Sequence, residues 1–207
     1  MKNENTEELI LAAALEEFAE KGFHGARMQT IANRAGVNKA LLHYYFRSKE
    51  QLYMTVLEPI GVAFCESVEP RVGTLDPGDI RGLARILATF VVTEGKRAPF
   101  SYILITELAS GGHYLKKMQR GFLDALESLQ NTVFDFIQAG IDNGRIKPFH
   151  PMKIFSNIMG MCWNIYLLAP MSDIIFERAA IPKDEAFYKD YIDLIVEMSS
   201  AGLALPQ

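Results

Sequence analysis

The 207-residue sequence predicts an all-α chain: an N-terminal three-helix unit of helix-turn-helix form, joined to a C-terminal helical bundle. Three observations predict it. Apolar residues recur at helical spacing along the chain, and no run alternates as a half-buried strand would. Between residues 28 and 46, two short amphipathic segments meet at a glycine, the pattern of a helix-turn-helix. Residues 21–50 also form a basic island in an otherwise acidic chain.

Asn5 with Glu8 forms a capping pattern at the start of a first helix, with acidic residues where the helix dipole favours them. Leu9, Ile10, Ala13, Ala14 and Phe18 mark its buried face, and Lys21-Gly22 stops it. Met28, Ile31, Ala32 and Ala35 define a short helix that ends at Gly36. Asn38 caps a second one through Phe46, with Leu42 and Phe46 facing inward. Ser48 and Gln51 form a Ser-x-x-Gln capping box for a helix through about Ser67. Beyond Pro70 the run Val72-Gly73-Thr74-Leu75-Asp76-Pro77-Gly78 is a loop by its turn chemistry.

Helices are then predicted at 79–93, 98–110, 114–142, 151–168 and 184–203, separated at Gly95, Gly111-Gly112, Asn143-Gly144, Pro148 and Pro182. Leu115, Met118, Phe122, Leu126, Leu129, Val133, Phe136 and Ile141 share one stripe, as on a long bundle helix. The segment 154–168 is apolar almost all round and needs partners on two sides.

Composition excludes several classes. Hydrophobic residues at 49% and charged residues at 22% are those of a globular protein, not of a disordered, collagen-like or disulfide-stapled chain. Cys65 and Cys162 form no CxxC pair, which fits a reducing compartment and argues against structural zinc. The polar, acidic start predicts no signal peptide. The greasiest stretch, Ile158 to Met171, is too short to span a bilayer and contains Asn164 and Pro170. A cytoplasmic protein with no membrane association is expected.

The net charge of -4 hides an asymmetry. Residues 1–20 hold Lys2 against Glu4, Glu7, Glu8, Glu16, Glu17 and Glu20. Residues 21–50 hold Lys21, Arg27, Arg34, Lys39, Arg47 and Lys49 against Glu50 alone, a net of +5. Such an island suits a small DNA-reading module on a larger body, and it equally describes a solvated charged face.

The run Ile31-Ala32-Asn33-Arg34-Ala35-Gly36-Val37-Asn38-Lys39-Ala40-Leu41-Leu42-His43-Tyr44-Tyr45-Phe46-Arg47-Ser48-Lys49-Glu50-Gln51-Leu52 resembles the DNA-binding signature of the TetR family of bacterial repressors. The preceding Phe18-Ala19-Glu20-Lys21-Gly22-Phe23 resembles the exit of that family's first helix, so the match spans about residues 6–57. It implies a DNA-binding domain at 1–47 and a ligand-sensing and dimerisation domain at 48–207, with 48–67 as the connecting helix.

The resemblance further implies a double-stranded operator, a homodimer and a small-molecule effector. Lys39, His43 and Tyr44 would then touch DNA from the recognition helix, and Lys49 would anchor the backbone. Gln29 can reach a base or phosphate, and Asn38 can cap the helix, donate to a phosphate, or both. Arg27 stands where the family often has Thr or Ser; it supplies a phosphate-seeking cation instead. The usual recognition-helix tyrosine is here His43. Ile31, Val37, Tyr45 and Phe46 are read as core.

An effector cavity in the bundle would be lined from Phe64, Phe100, Tyr102, Leu104, Glu107, His113, Phe122, Trp163 and Tyr166, each of which is also an ordinary core or helix-end residue. Surplus apolar surface points to a two-fold interface through Ile154, Phe155, Ile158, Met161, Tyr188, Tyr191, Ile192, Ile195 and Met198. No catalytic motif appears: there is no Gly-x-Ser-x-Gly, phosphate loop, HExxH or Rossmann glycine pattern, and the four histidines are scattered. The expectation is a ligand-released repressor, not an enzyme, without metal or cofactor. The rival reading is a helical adaptor that binds protein and not DNA.

Overall fold

The computed structural model describes residues 2–97, 100–118, 120–168 and 184–204. Their elements are α1 (Lys2–Gly25), α2 (Met28–Arg34), α3 (Lys39–Tyr45), α4 (Lys49–Val72), α5 (Ile80–Arg97) and α6 (Phe100–Ala109). A 3₁₀ turn (Leu115–Lys117), α7 (Arg120–Asp142), α8 (Pro151–Leu167) and α9 (Glu185–Leu203) follow. These form two compact units: Met1–Val62 with Ala98–Leu123, and Ala63–Arg97 with Asp124–Gln207.

Several boundaries differ from the sequence reading. The first helix begins at Lys2, so Asn5 lies inside it and not at its cap. Gly22 does break it, at φ 64°, a left-handed conformation that glycine adopts without a Cβ clash, and a further turn runs to Gly25. The fourth helix runs on from Ser67 to Val72, where the Gly73 amide closes it on the Glu69 carbonyl at 3.1 Å.

The first unit packs around Ile10, Ala14 and Phe18 from α1, Ile31 from α2, and Leu42 from α3. Leu52, Tyr53 and Leu57 from α4, Ile103 from α6 and Phe122 from α7 complete the core. Each such apolar side chain stabilises the fold by about 1.5–3 kcal/mol through burial. The Tyr53 ring meets Phe18 edge-on at 4.9 Å and Tyr114 at 5.3 Å. Gly61 is required here: a Cβ on it would lie 2.2 Å from the Phe122 ring.

Glu107 organises the polar side of this core. It is 3% exposed, and its carboxylate accepts the Tyr114 amide at 2.5 Å and the Leu115 amide at 3.3 Å. The Tyr53 phenol donates to the same carboxylate; burial first, then the Glu107 charge, raise the phenol's pKa. Capture of these amides explains why the predicted helix 114–142 is not continuous. Residues 115–117 close into a 3₁₀ turn, Met118 is extended at ψ 160°, and α7 starts at Arg120. Phe122, Leu129, Val133 and Phe136 still form the buried stripe, whereas Leu126 is exposed.

In the second unit α5 is the hub and packs against both α8 and α9. Ile80, Leu83, Leu87 and Val91 on α5 are buried, as are Ile154, Ile158 and Cys162 on α8 and Ile195 and Val196 on α9. The Tyr166 hydroxyl donates to the Val92 carbonyl at 2.7 Å, and the Tyr191 hydroxyl to the Met161 carbonyl at 3.2 Å. Arg81 grips Glu197 with both terminal nitrogens and also donates to Ser200 Oγ at 3.0 Å. Arg85 and Lys189 converge on Asp193 at 2.9 and 2.8 Å.

This packing corrects part of the expected dimer interface. Ile154, Ile158 and Ile195 are at most 2% exposed within their own chain, so they are core and cannot meet a second copy. The reason is the apolar face of α5, which supplies the partner that the sequence reading assigned to another protomer. Phe155, Met161, Tyr188, Tyr191 and Ile192 are half-buried, and Met198 is exposed.

Glu107→Ala would strand buried donors, so it should destabilise the protein by about 2–3 kcal/mol in urea unfolding, with Glu107→Gln recovering part of the loss. Burial pushes the Cys65 thiol up to about 11 and the Cys162 thiol up to about 12. Both should therefore resist a thiol reagent at pH 8 in the folded protein and react fully in denaturant.

Candidate nucleic-acid interface

The interface is built on α2 and α3. Ile31, Ala32 and Ala35 bury one face of α2, and the Gly36 backbone turns at φ 67°, which the absence of a Cβ permits. Asn38 is extended, and its Oδ1 accepts the Leu41 amide at 2.8 Å, a side-chain N-cap for α3. Only Leu42 of α3 is buried, with Phe46 just beyond it. Lys39, Ala40, Leu41, His43 and Tyr44 are consequently exposed, and Tyr44 keeps 78% of its surface.

One buried carboxylate sets the angle at which α2 presents α3. Glu17, 3% exposed, accepts the Arg27 backbone amide at 3.3 Å through Oε1. Its Oε2 lies 3.3 Å from the Arg34 guanidinium, so both ends of α2 meet the same side chain. Arg34 also pairs with Glu20 at 2.8 Å and Glu16 at 3.5 Å. The sequence reading counted Arg34 only as part of the basic island; the acidic stripe of α1 neutralises it. The Arg34 hydrogen bond holds the Glu20 carboxyl below its ordinary value near 4.5. That contribution is present above about pH 4.5 and is lost as the pH falls through the lowered value.

The predicted contact residues fall into two groups. Arg27, Lys39, His43 and Tyr44 present exposed side chains, and among the described residues no carboxylate pairs with Arg27 or Lys39. Gln29, Asn38 and Lys49 already have protein partners. Gln29 donates to Asn33 Oδ1 at 3.0 Å, and Asn38 is the cap described above. Lys49 donates to the carbonyls of His24 at 3.5 Å and Ala26 at 3.1 Å, and lies 4.5 Å above the Phe23 ring. It thus clamps the end of α1 to the start of α4. The capping box at that start has formed: Ser48 Oγ accepts the Gln51 amide, and Gln51 reaches back to the Arg47 amide.

The predicted effector residues divide between the two units. Glu107, His113 and Phe122 belong to the first unit; Phe64, Trp163 and Tyr166 belong to the second. The side chains of Phe100, Tyr102 and Leu104 lie outside the described residues. Glu107 is occupied by backbone amides, Phe122 is core and His113 is exposed. Phe64 is half-buried against Phe90, with ring centres 5.1 Å apart. A cavity of about 280 Å³ opens instead between α5 and α9, bordered by Arg85, Thr89, Thr93, Tyr188, Lys189 and Ile192, among others. Its polar rim carried no sequence motif.

A helix-turn-helix carried on an all-helical body, with a cationic and aromatic recognition face, defines the class of DNA-binding regulators. The sequence profile of bacterial regulatory proteins of the tetR family matches residues 10–55. Over 94% of its length the chain is 26% identical to the HTH-type transcriptional regulator RutR of Escherichia coli strain K12, covering 88% of that protein. It is 32% identical over 70% of its length to the HTH-type transcriptional repressor NicS of Pseudomonas putida, covering 65% of it. The fold is shared with the ketosteroid transcriptional regulator KstR2 of Mycobacterium tuberculosis, at a TM-score of 0.71 and 16% identity, over 97% of this chain and 95% of that one. Residues 10–55 thus carry the DNA-binding region of the tetR family, and the chain is similar to transcriptional regulators over most of its length.

Replacing Lys39 and Tyr44 together with alanine should abolish gel shifts of a selected operator while circular dichroism and sedimentation stay unchanged, because neither side chain is buried. Asn38→Ala should cost about 1 kcal/mol of stability through loss of the α3 cap.

Proposed function

We propose that the protein is a ligand-responsive transcriptional regulator of the cytoplasm, a repressor that binds a palindromic operator as a homodimer and leaves it when a small hydrophobic or amphipathic molecule binds. The observation that carries this reading is the exposed face of α3, where Lys39, His43 and Tyr44 stand out from a helix anchored by Leu42. An anchored helix with a cation at its start and an exposed aromatic ring in its last turn suits the major groove. The similarity to NicS, which is named a repressor, favours repression. The adaptor reading is not favoured, since it leaves this solvent-facing helix without a task.

The homodimer is supported by the apolar surface left on α8 and α9. Met152, Leu167, Leu194 and Met198 are each at least 45% exposed. A two-fold pair fits a repressor that reads two half-sites one helical turn, about 34–36 Å, or a multiple of it apart. Effector binding then lowers DNA affinity only by as much as the effector prefers the non-binding spacing. No helix among the described residues is long and apolar enough to cross a membrane.

Selection of bound duplexes from a random pool should return an inverted repeat, and a screen of small hydrophobic and amphipathic compounds scored by release from that repeat should identify the effector class. Recovery of no enriched sequence would overturn the reading. Leu194→Glu with Met198→Glu should convert the dimer into a monomer in sedimentation at micromolar concentration; an unchanged mass would remove these residues from the interface.

A further inference from the structure

The first unit carries a second basic segment that the helix-turn-helix does not include. Residues 113–120 read His-Tyr-Leu-Lys-Lys-Met-Gln-Arg, with Lys116, Lys117 and Arg120 and no carboxylate. This run interrupts a chain whose residues beyond 50 are net acidic. The sequence pattern hid it, because the apolar stripe makes it look like the first turns of a long bundle helix.

Its placement gives it meaning. Glu107 holds the segment by two backbone amides, and the Tyr114 ring packs against Phe23 at 4.4 Å and Tyr53 at 5.3 Å. Phe23 is the ring that Lys49 covers from 4.5 Å, and Tyr114 is the ring that Lys117 covers from 5.7 Å. The two ammonium groups therefore flank one aromatic pair at the start of α4, the end of the unit where Lys49 is expected to meet the DNA backbone. His113 Nε2 stands 2.8 Å from Lys117 Nζ and steadies it. Glu50 is the carboxylate whose charge reaches Lys117. Among the described residues, no carboxylate pairs with Lys116, Lys117 or Arg120, and all are exposed.

We infer that Lys116, Lys117 and Arg120 form an auxiliary contact to the DNA sugar-phosphate backbone, next to the footprint of α2 and α3 and outside the bases that α3 reads. This rests on the DNA-binding reading above. Phosphate contacts of this kind carry no sequence information; they raise affinity and its dependence on salt. Like the basic island, the segment is held by the core: a buried carboxylate and an aromatic pair fix its backbone, so little order must be acquired on binding.

The test uses the full-length protein and the inverted repeat selected from a random pool, set in a duplex trimmed to the repeat and in one extended by ten base pairs on each side. On the extended duplex, Lys116→Ala with Lys117→Ala should weaken binding about ten-fold or more at 0.1 M salt. The slope of log affinity against log salt should fall by about 2–4 in magnitude for the dimer, since each lost phosphate contact removes about 0.9. The doubly arginine-substituted variant should bind as the wild type, and the trimmed duplex should show a smaller difference. Circular dichroism of every variant should match the wild type, because these side chains are exposed. Equal affinity and equal salt slope for wild type and the alanine variant on the extended duplex, with Lys39→Ala/Tyr44→Ala still abolishing binding, would overturn this inference alone. A wild type that binds no duplex overturns both readings.

Discussion

The exposed face of α2 and α3 depends on a carboxylate buried behind it. Glu17 is withdrawn from solvent and spends one oxygen on the amide that opens α2 and the other on the guanidinium that closes it. A buried charge is tolerated only when such partners satisfy it, and removing one leaves the other uncompensated. The requirement is mutual. Arg34 cannot move without stranding Glu17, and α2 cannot rotate without losing both contacts. Since α3 follows α2 after a short turn at Gly36, the orientation of Lys39 and Tyr44 depends on this side chain together with the burial of Leu42 and Phe46.

A second buried carboxylate extends the same unit to a distant stretch of chain. Glu107 takes the amides of Tyr114 and Leu115 and the phenol of Tyr53, and so joins α6 and the 3₁₀ turn to α4. The domain boundary expected at residue 47 falls just before the capping box that opens α4. The packing unit also takes in residues 98–123, because rings from three parts of the chain, Phe23, Tyr53 and Tyr114, close on one another. Local sequence cannot report such closure: each ring, taken alone, reads only as one more apolar position on a helix.

That distinction explains what was legible. Asn38 and Ser48 were readable as caps because a cap is a local rule, one side chain bonding a backbone amide three residues on. Leu42 and Phe46 were readable as core from spacing alone. The break at 115–118 was not, because it depends on Glu107, whose partners lie seven and eight residues away in a different element. Nor was the burial of Ile154, Ile158 and Ile195: periodicity shows that a face is apolar, not whether α5 or a second protomer covers it. The exposed contact candidates on α3 were legible through resemblance to a family signature, whereas Lys49 shows the limit of that route. Its position matches the family's, yet its ammonium already bonds two carbonyls and covers a ring.

Charge follows the same logic of partners rather than counts. The +5 island of residues 21–50 overstates what DNA would meet, because Arg34 is taken up by α1 carboxylates and Lys49 is partly engaged with α1 carbonyls. Lys21, Arg27, Lys39 and Arg47 remain as exposed cations on that island. Three cations between residues 116 and 120 restore about what the internal pairing removes, and they do so within the same unit. Backbone affinity scales with the cations that release counterions, not with those already paired inside the protein. A net charge of -4 is therefore compatible with DNA binding, because the unpaired cations are concentrated in one unit while the acidic excess lies in other parts of the sequence. On the proposed reading, affinity for DNA rests on a small number of unpaired side chains in segments that Glu17 and Glu107 help to hold in place.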